Sequence, residues 1–164
     1  MTFLTVGTLF PFDRLVRAVD RTVGTRTLDG RVFAQIGESK YVPRNMEYAK
    51  VLDANSFDSK MKQADYLISH AGIGSITTAL SMNKPLLVMP RLRKFNEHVN
   101  DHQLETARRF EELGHILVAY SEKDLPEKLE ELRNFTPKPR ENQSGAVAKR
   151  IEQFLQEAVG KRGQ

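Results

Sequence analysis

The hexapeptide HAGIGS, residues 70–75, sets a histidine before two glycines one residue apart, just after the apolar run YLI. Glycine takes turn conformations closed to other residues and lets a ligand approach the backbone with no Cβ in the way. A helix beginning at this point exposes unpaired N–H groups and a partial positive charge. Strand, glycine turn and helix start, in that order, make a pocket for an anion, above all a phosphate. The same residues also fit a tight strand-to-helix turn whose glycines serve packing alone. The dinucleotide pattern G-x-G-x-x-G is incomplete, because Thr77 holds the third glycine position, and the phosphate-loop pattern is absent.

A second stretch, RLRKFNEHVNDHQLE (91–105), gathers Glu97, His98, Asp101, His102 and Gln103 within seven residues. So many donors and acceptors suit a ligand with several hydroxyls, such as a sugar. Asn100, Asp101 and Gln103 also suit a helix cap. His98 and His102 lie four apart without an H-E-x-x-H pattern, and no metal is expected. A third stretch, VGTLFPF (6–12), follows the first apolar run, and Thr8 fits either a simple turn or a nucleotide contact. Arg91 fits a solvated cation or a counter-charge to a diphosphate.

These residues can act together only if the chain brings them to one edge. TFLTV (2–6) is a β-rich apolar run closed by Gly7 and reads as a buried strand. RVFAQIG (31–37), NMEYAKVL (45–52), DYLIS (65–69), PLLVMP (85–90) and HILVAY (115–120) read as five more. Phe12, Leu15, Val16, Val19 and Val23 fall at helical spacing. Further helices are expected over 55–64, 75–83 and 101–114, the last stopped by Gly114. Two more are expected, in SEKDLPEKLEELRNF and, after the stiff TPKPR, in SGAVAKRIEQFLQEAV. The alternation predicts an α/β fold, a Rossmann-like open parallel sheet with helices on both faces. Ligands in such sheets lie outside the carboxyl ends of the strands. That selects the loops over 7–11, 37–43, 70–75 and 90–101, which hold all three stretches.

Composition narrows the classes. The 164 residues fit one domain with a real core, and 40% hydrophobic with 28% charged residues is a globular balance. With no cysteine, disulfides, thiolate metal sites and cysteine nucleophiles are excluded, and a reducing cytoplasm is expected. No apolar run approaches the ~18 residues a membrane helix needs, and MTFLTVGT does not read as a signal peptide. The net charge of +4 and pI of about 9.4 are a modest basic excess. Such an excess permits nucleic acid as a partner, but no RNA motif or aromatic platform supports it.

In order, TVGTLFPFDRLVRAVD, AQIGES, ADYLISHAGIGSITTALSMNKPLLVMPR and NEHVNDHQLETA resemble the glycosyltransferase family 28 C-terminal domain, the C-terminal half of a GT-B glycosyltransferase. The resemblance covers roughly residues 2–118. It is strongest to donor-binding subunits of two-part sugar transferases, such as the catalytic subunit of the dolichol-pathway GlcNAc transferase and its bacterial exopolysaccharide counterparts. The resemblance implies a nucleotide-sugar-binding domain over 1–135, with the diphosphate of a UDP-sugar at Gly72, Gly74 and Ser75. His70, Thr8 and Arg91 would stand beside the diphosphate, and Glu97, Asp101 and Gln103 at the sugar hydroxyls. Relatives often hold the ribose with an acidic residue where this chain has Thr77 or Thr78, so Thr78 is its ribose candidate. His70, Glu97 and Asp13 are candidates for the catalytic base.

The resemblance also implies an inverting hexosyl transfer with the UDP-sugar as substrate, no cofactor and no metal. A GT-B enzyme needs two such domains and this chain holds one. A membrane-anchored partner would therefore supply a lipid-linked saccharide acceptor, placing the chain in the cytoplasm at the membrane face. Residues 136–164 would be a connector and an amphipathic helix, with Val147, Ile151, Phe154, Leu155 and Val159 as its stripe and Lys149, Arg150, Lys161 and Arg162 as its cations. That helix would pack on this domain or on the partner. A non-catalytic enhancer or nucleotide-binding subunit is the alternative. A nucleotide-sugar epimerase fits poorly, because those enzymes carry both halves in one chain.

Overall fold

Strands buried on both faces read as unbroken apolar runs, and parallel strands need crossover connections. Both conditions are met in the structure, a computed structural model that describes residues 1–25 and 30–139. Six strands form one sheet: β1 (Thr2–Thr5), β2 (Val32–Gln35), β3 (Glu47–Ala49), β4 (Tyr66–His70), β5 (Leu86–Met89) and β6 (Leu117–Val118). Their order is β3-β2-β1-β4-β5-β6 and every pairing is parallel. In register, Thr5 lies between Gln35 of β2 and Ser69 of β4.

The helices are α1 (Asp13–Gly24), α2 (Ala54–Gln63), α3 (Ile73–Ser81), α4 (His102–Glu112) and α5 (Leu125–Leu132). Alternate strand residues feed two apolar layers. Leu4, Ile68 and Leu87 pack with Leu15, Val16 and Val19 of α1 and with Leu125, Leu129 and Leu132 of α5. Phe3, Leu67 and Val88 pack with Met61 of α2, Ile76 and Ala79 of α3 and Ala107 of α4. Helices therefore cover both faces, as the alternation predicts.

Several ends differ from the sequence expectation. β3 is only three residues long and half exposed, and β6 only two, since each sits at a sheet edge with one neighbour. α2 begins earlier than expected because Asp53 caps it, taking the Ser56 N–H at 3.0 Å. α3 begins at Ile73, so Gly74 and Ser75 lie inside its first turn. Asn83, which follows α3, takes the left-handed conformation at φ 51°, one that asparagine tolerates. Beyond α5 the chain reaches the turn that ends α4, with the Lys138 N–H on Gly114 O at 2.9 Å. The expected C-terminal helix lies outside the described residues.

One buried carboxylate organises the loop before β3. Asp20 on α1 is 1% exposed. It accepts the Tyr41 hydroxyl at 2.7 Å, the Asn45 N–H at 2.7 Å and the Arg44 N–H at 3.1 Å. Burial alone would raise its pKa, but these hydrogen bonds outweigh burial and hold it below the usual carboxylate value. The stability it contributes is present above the unfolded-state pKa near 3.8 and is lost as pH falls below that. Asp20→Asn should cost about 2–3 kcal/mol at pH 7, read by urea unfolding. Because the variant cannot lose a charge in acid, the difference from wild type should shrink as pH falls below about 4.

Candidate functional site

The strand order turns back between β1 and β4, and connections leave these two strands toward opposite faces, so a crevice opens at their carboxyl ends. Here the chain folds two glycine turns side by side. Gly7 (φ 75°) follows β1, and its conformation is held by Gln35, whose amide donates to Gly7 O at 3.1 Å. Gly72 caps α3 without a side chain. The first backbone bond of that helix is Ile76 N–H to Gly72 O, 3.1 Å, so the N–H groups of Ile73, Gly74 and Ser75 have no acceptor within the helix.

Two neighbouring openings share part of their lining there. One, about 440 Å³, is lined by Gly7, Thr8, Gln35, Phe57, Asp58 and Ser75. The other, about 190 Å³, is lined by Ser69, Gly74, Ser75 and Thr78 over an apolar floor of Met61 and Leu67. Thr5 and Ser75 border both. The structure thus brings Thr8, Gly74, Ser75 and Thr78 to one cleft. A Cβ on Gly74 would meet nothing within 4 Å, so the space in front of this first turn is open. Thr78 donates its hydroxyl to Gly74 O at 2.9 Å and keeps lone pairs that can accept from a ligand donor.

His70 is wedged between the two glycines. A Cβ on Gly72 would fall 2.3 Å from His70 Nε2, and one on Gly7 would fall 3.0 Å from Cε1. The glycine at 72 is therefore required by the imidazole itself. Ser69 donates its hydroxyl to Thr5 O at 3.0 Å, so the 3.2 Å contact between Ser69 Oγ and His70 Nδ1 needs the proton on Nδ1. Nε2 is then the unprotonated atom beside Gly72. Burial first, then the nearby Arg91 and His98 charges, pull the imidazole down to about 4, so the ring is neutral near pH 7.

Arg91 is neither solvated nor paired with a carboxylate. It is 3% exposed, and its Nη2 donates to the carbonyls of Val6 (2.7 Å) and Phe10, tying the loop after β1 to the end of β5. Its Nε is buried without a partner, and burial lowers its pKa to about 10, leaving it a cation at neutral pH. The Arg91 N–H donates to Gln103 Oε1 at 3.2 Å, which fixes the Gln103 amide with its NH₂ as the free end, a donor for a ligand oxygen. Asp101 does not cap α4 with its side chain. Its Oδ1 takes the Arg93 N–H at 2.8 Å, and Oδ2 is left over.

Two expected site residues are engaged elsewhere. Glu97 is 7% exposed, and both its oxygens are taken by Arg14 at 2.8 Å, one of them also by the Leu92 N–H at 3.0 Å. Three of the carboxylate's four lone pairs are thereby taken, and the pairing with a guanidinium makes it a poor base. Asp13 takes the Lys40 N–H at 2.8 Å and, with Glu97, lines a separate groove of about 640 Å³ along α1. Among the described residues no group of three His, Cys, Asp or Glu side chains could hold a metal ion, and no helix is long and apolar enough to cross a membrane. Thr5, Gln35 and Ser69, missed at first, share one signal: each is a polar residue near the carboxyl end of an otherwise apolar strand.

Fold and cleft together define a Rossmann-like domain of the GT-B glycosyltransferase type. Its profile match is to the glycosyltransferase family 28 C-terminal domain over residues 1–158, and the chain belongs to that family. It is 34% identical over 124 residues to the UDP-N-acetylglucosamine transferase subunit ALG13 of Homo sapiens, covering 70% of this chain but only 10% of that protein. In three dimensions it resembles the solution structure of ALG13 (TM-score 0.57, 22% identity, 92% of this chain and 93% of that one). It resembles equally the glycotransferase of kitacinnamycin (TM-score 0.57, 21% identity, 80% of this chain and 34% of that one).

The two glycines of HAGIGS should part ways on substitution. Gly72→Ala drives a methyl into the imidazole and should cost about 1–3 kcal/mol. Gly74→Ala meets open space within a helix and should be neutral or gain up to about 1 kcal/mol, both read by thermal or urea unfolding. His70 makes stability rise with pH between about 4 and 6.5, because only the unfolded state takes up its proton in that window. His70→Asn should flatten that slope in urea midpoints measured from pH 4.5 to 7.5.

Proposed function

We propose that this chain is the donor-binding subunit of a two-part hexosyltransferase. It takes a UDP-sugar, with UDP-N-acetylglucosamine as the first donor to try, because the ALG13 relatives carry that donor in their name. The observation that carries the reading is the open space before the unpaired first turn of α3, at the crevice between β1 and β4. A diphosphate set there accepts from the N–H groups of Ile73, Gly74 and Ser75 and from the Ser75 hydroxyl, with Thr8 and His70 at its edge. The buried Arg91 cation adds positive potential from beneath. Thr78 meets the ribose, and Asp101 Oδ2 and the Gln103 NH₂ meet sugar hydroxyls.

The helix-start amides then stabilise the charge that develops on the leaving diphosphate, without a metal. An acceptor hydroxyl attacks the anomeric carbon from the opposite side, with inversion, and the acceptor is a lipid-linked saccharide held by a membrane-anchored second chain. Of the exposed large apolar residues among those described, Leu9, Val42, Val51, Ile73, Phe95 and Val99 all stand on the carboxyl-edge loops or at the start of α3. A surface so placed suits coverage by such a chain. The chain's place is then the cytoplasmic face of a membrane, reached through that partner.

Calorimetry with UDP and UDP-N-acetylglucosamine tests the donor site. Wild type should bind both, and Gly74→Ala, though well folded, should weaken both at least tenfold by filling the space before the amides. Failure of wild type to bind any UDP-sugar would sink the reading. If the reconstituted complex still transfers sugar with the Gly74→Ala chain at the wild-type rate, the chain is an enhancer and the donor site lies on the partner.

A further inference from the structure

The buried pair of Arg14 and Glu97 is the most heavily bonded ionic contact among the described residues, and donor binding as set out above gives it no task. Arg14 stands in the first turn of α1, and Glu97 lies on the loop between β5 and α4, 83 residues away. Their side chains are 9% and 8% exposed. The guanidinium lies flat against the carboxylate in two 2.8 Å bonds, and the same Nη2 reaches Pro90 O at 2.9 Å. Nη1 touches Met89 Sδ at 3.2 Å, and the plane is covered by the rings of Phe12 and Phe95, 5.3 and 4.8 Å away.

The carboxylate passes this order on. Glu97 Oε2 takes the Leu92 N–H, which closes the loop 92–97 around a single 3-10 turn over Arg93–Phe95, with Asn96 left-handed at φ 56°. The turn aims the next amide, Arg93 N–H, at Asp101 Oδ1. A chain of direct bonds thus runs from Arg14 through Glu97 and the turn to the carboxylate whose second oxygen is free. The residue before the turn, Arg91, aims its own N–H at Gln103. None of these bonds touches the first turn of α3.

We propose that Arg14 and Glu97 are positioning residues that set Asp101 and Gln103 for the donor sugar while leaving the nucleotide half of the site untouched. The inference rests on the UDP-sugar reading of the cleft. It assigns to Glu97 a task one step removed from the ligand.

Arg14→Lys keeps the charge but loses the fork that holds two oxygens and Pro90 O together. Glu97→Gln keeps the shape and loses the charge. Each is compared with wild type in calorimetric affinity for UDP and for UDP-N-acetylglucosamine, with unfolding midpoints as a check on folding. Hydrogen exchange at the Leu92 and Arg93 amides is followed alongside. Both variants should hold UDP within twofold of wild type, lose at least tenfold in affinity for the UDP-sugar, and exchange the two amides at least tenfold faster. Glu122→Gln, which removes only the 3.6 Å contact on the exposed side of Arg14, should change none of these. Parallel loss of both affinities, or unchanged affinity for the UDP-sugar, overturns the proposal. If wild type binds neither nucleotide, the donor reading fails instead. The exchange rates then decide separately whether the pair holds the turn, and unchanged exchange overturns that as well.

Discussion

Parallel strands can be joined only by crossovers, and where successive crossovers leave for opposite faces, nothing fills the gap at the strands' carboxyl ends. In this sheet the gap falls between β1 and β4, with α1 on one face and α3 on the other. Every polar residue of the cleft answers to that one opening. Thr5, Gln35 and Ser69 bond to one another's strands and to the Gly7 carbonyl, closing the floor. The two glycine turns are as short as they are because the sheet must hand the chain to helices without crossing the crevice. The helix start that faces it is left with three amides to satisfy from outside.

Charge in the site is handled by burial rather than by pairing. Arg91 lies under the loops with carbonyl oxygens as its partners, and it helps to keep His70 neutral. A neutral imidazole with its proton on Nδ1 leaves an unprotonated Nε2 beside Gly72, so it would oppose an approaching phosphate oxygen less than a carboxylate and help it less than an imidazolium. On the proposed reading, the attraction for an anion comes from the α3 amides and the buried guanidinium, both fixed in place before any ligand arrives, which is the arrangement that loses least to reorganisation. Glu97, paired with Arg14 on the other side of the loop, also acts on Arg91, where its charge partly offsets the effect of burial.

Much of this was legible in the sequence. Apolar runs and helical spacing placed the strands and helices, and the carboxyl-edge rule picked out HAGIGS and the 91–105 stretch before any coordinates. Three things were not legible, each for a physical reason. The dense polar run 97–103 looked like one sugar-binding set, but composition cannot say which carboxylate already has a partner, and Arg14 is 83 residues distant. Arg91 fitted either a solvated cation or a counter-charge to a diphosphate, because burial of a guanidinium depends on carbonyls contributed by the loop after β1. The glycine at 72 read as room for phosphate, whereas its nearest neighbour is the adjacent histidine, a closeness that only the turn's conformation reveals.

A cleft of this kind is half of an electrostatic device. Backbone dipoles aimed at an anion act weakly across water and strongly where water is excluded, because the interaction scales inversely with the local dielectric. Here the openings at Thr8 and Gly74 are unfilled, and Leu9, Ile73 and Val99, on the carboxyl-edge loops and at the start of α3, are exposed. On the proposed reading, a diphosphate bound in that state would be held but still hydrated on its outer side. Covering the edge with a second surface would bury those side chains and dry the anion in one motion, strengthening every N–H contact from the α3 turn at the moment an acceptor is delivered. Holding and activating the donor can in this way be divided between two surfaces, with the fixed amides on one and the exclusion of water supplied by the other.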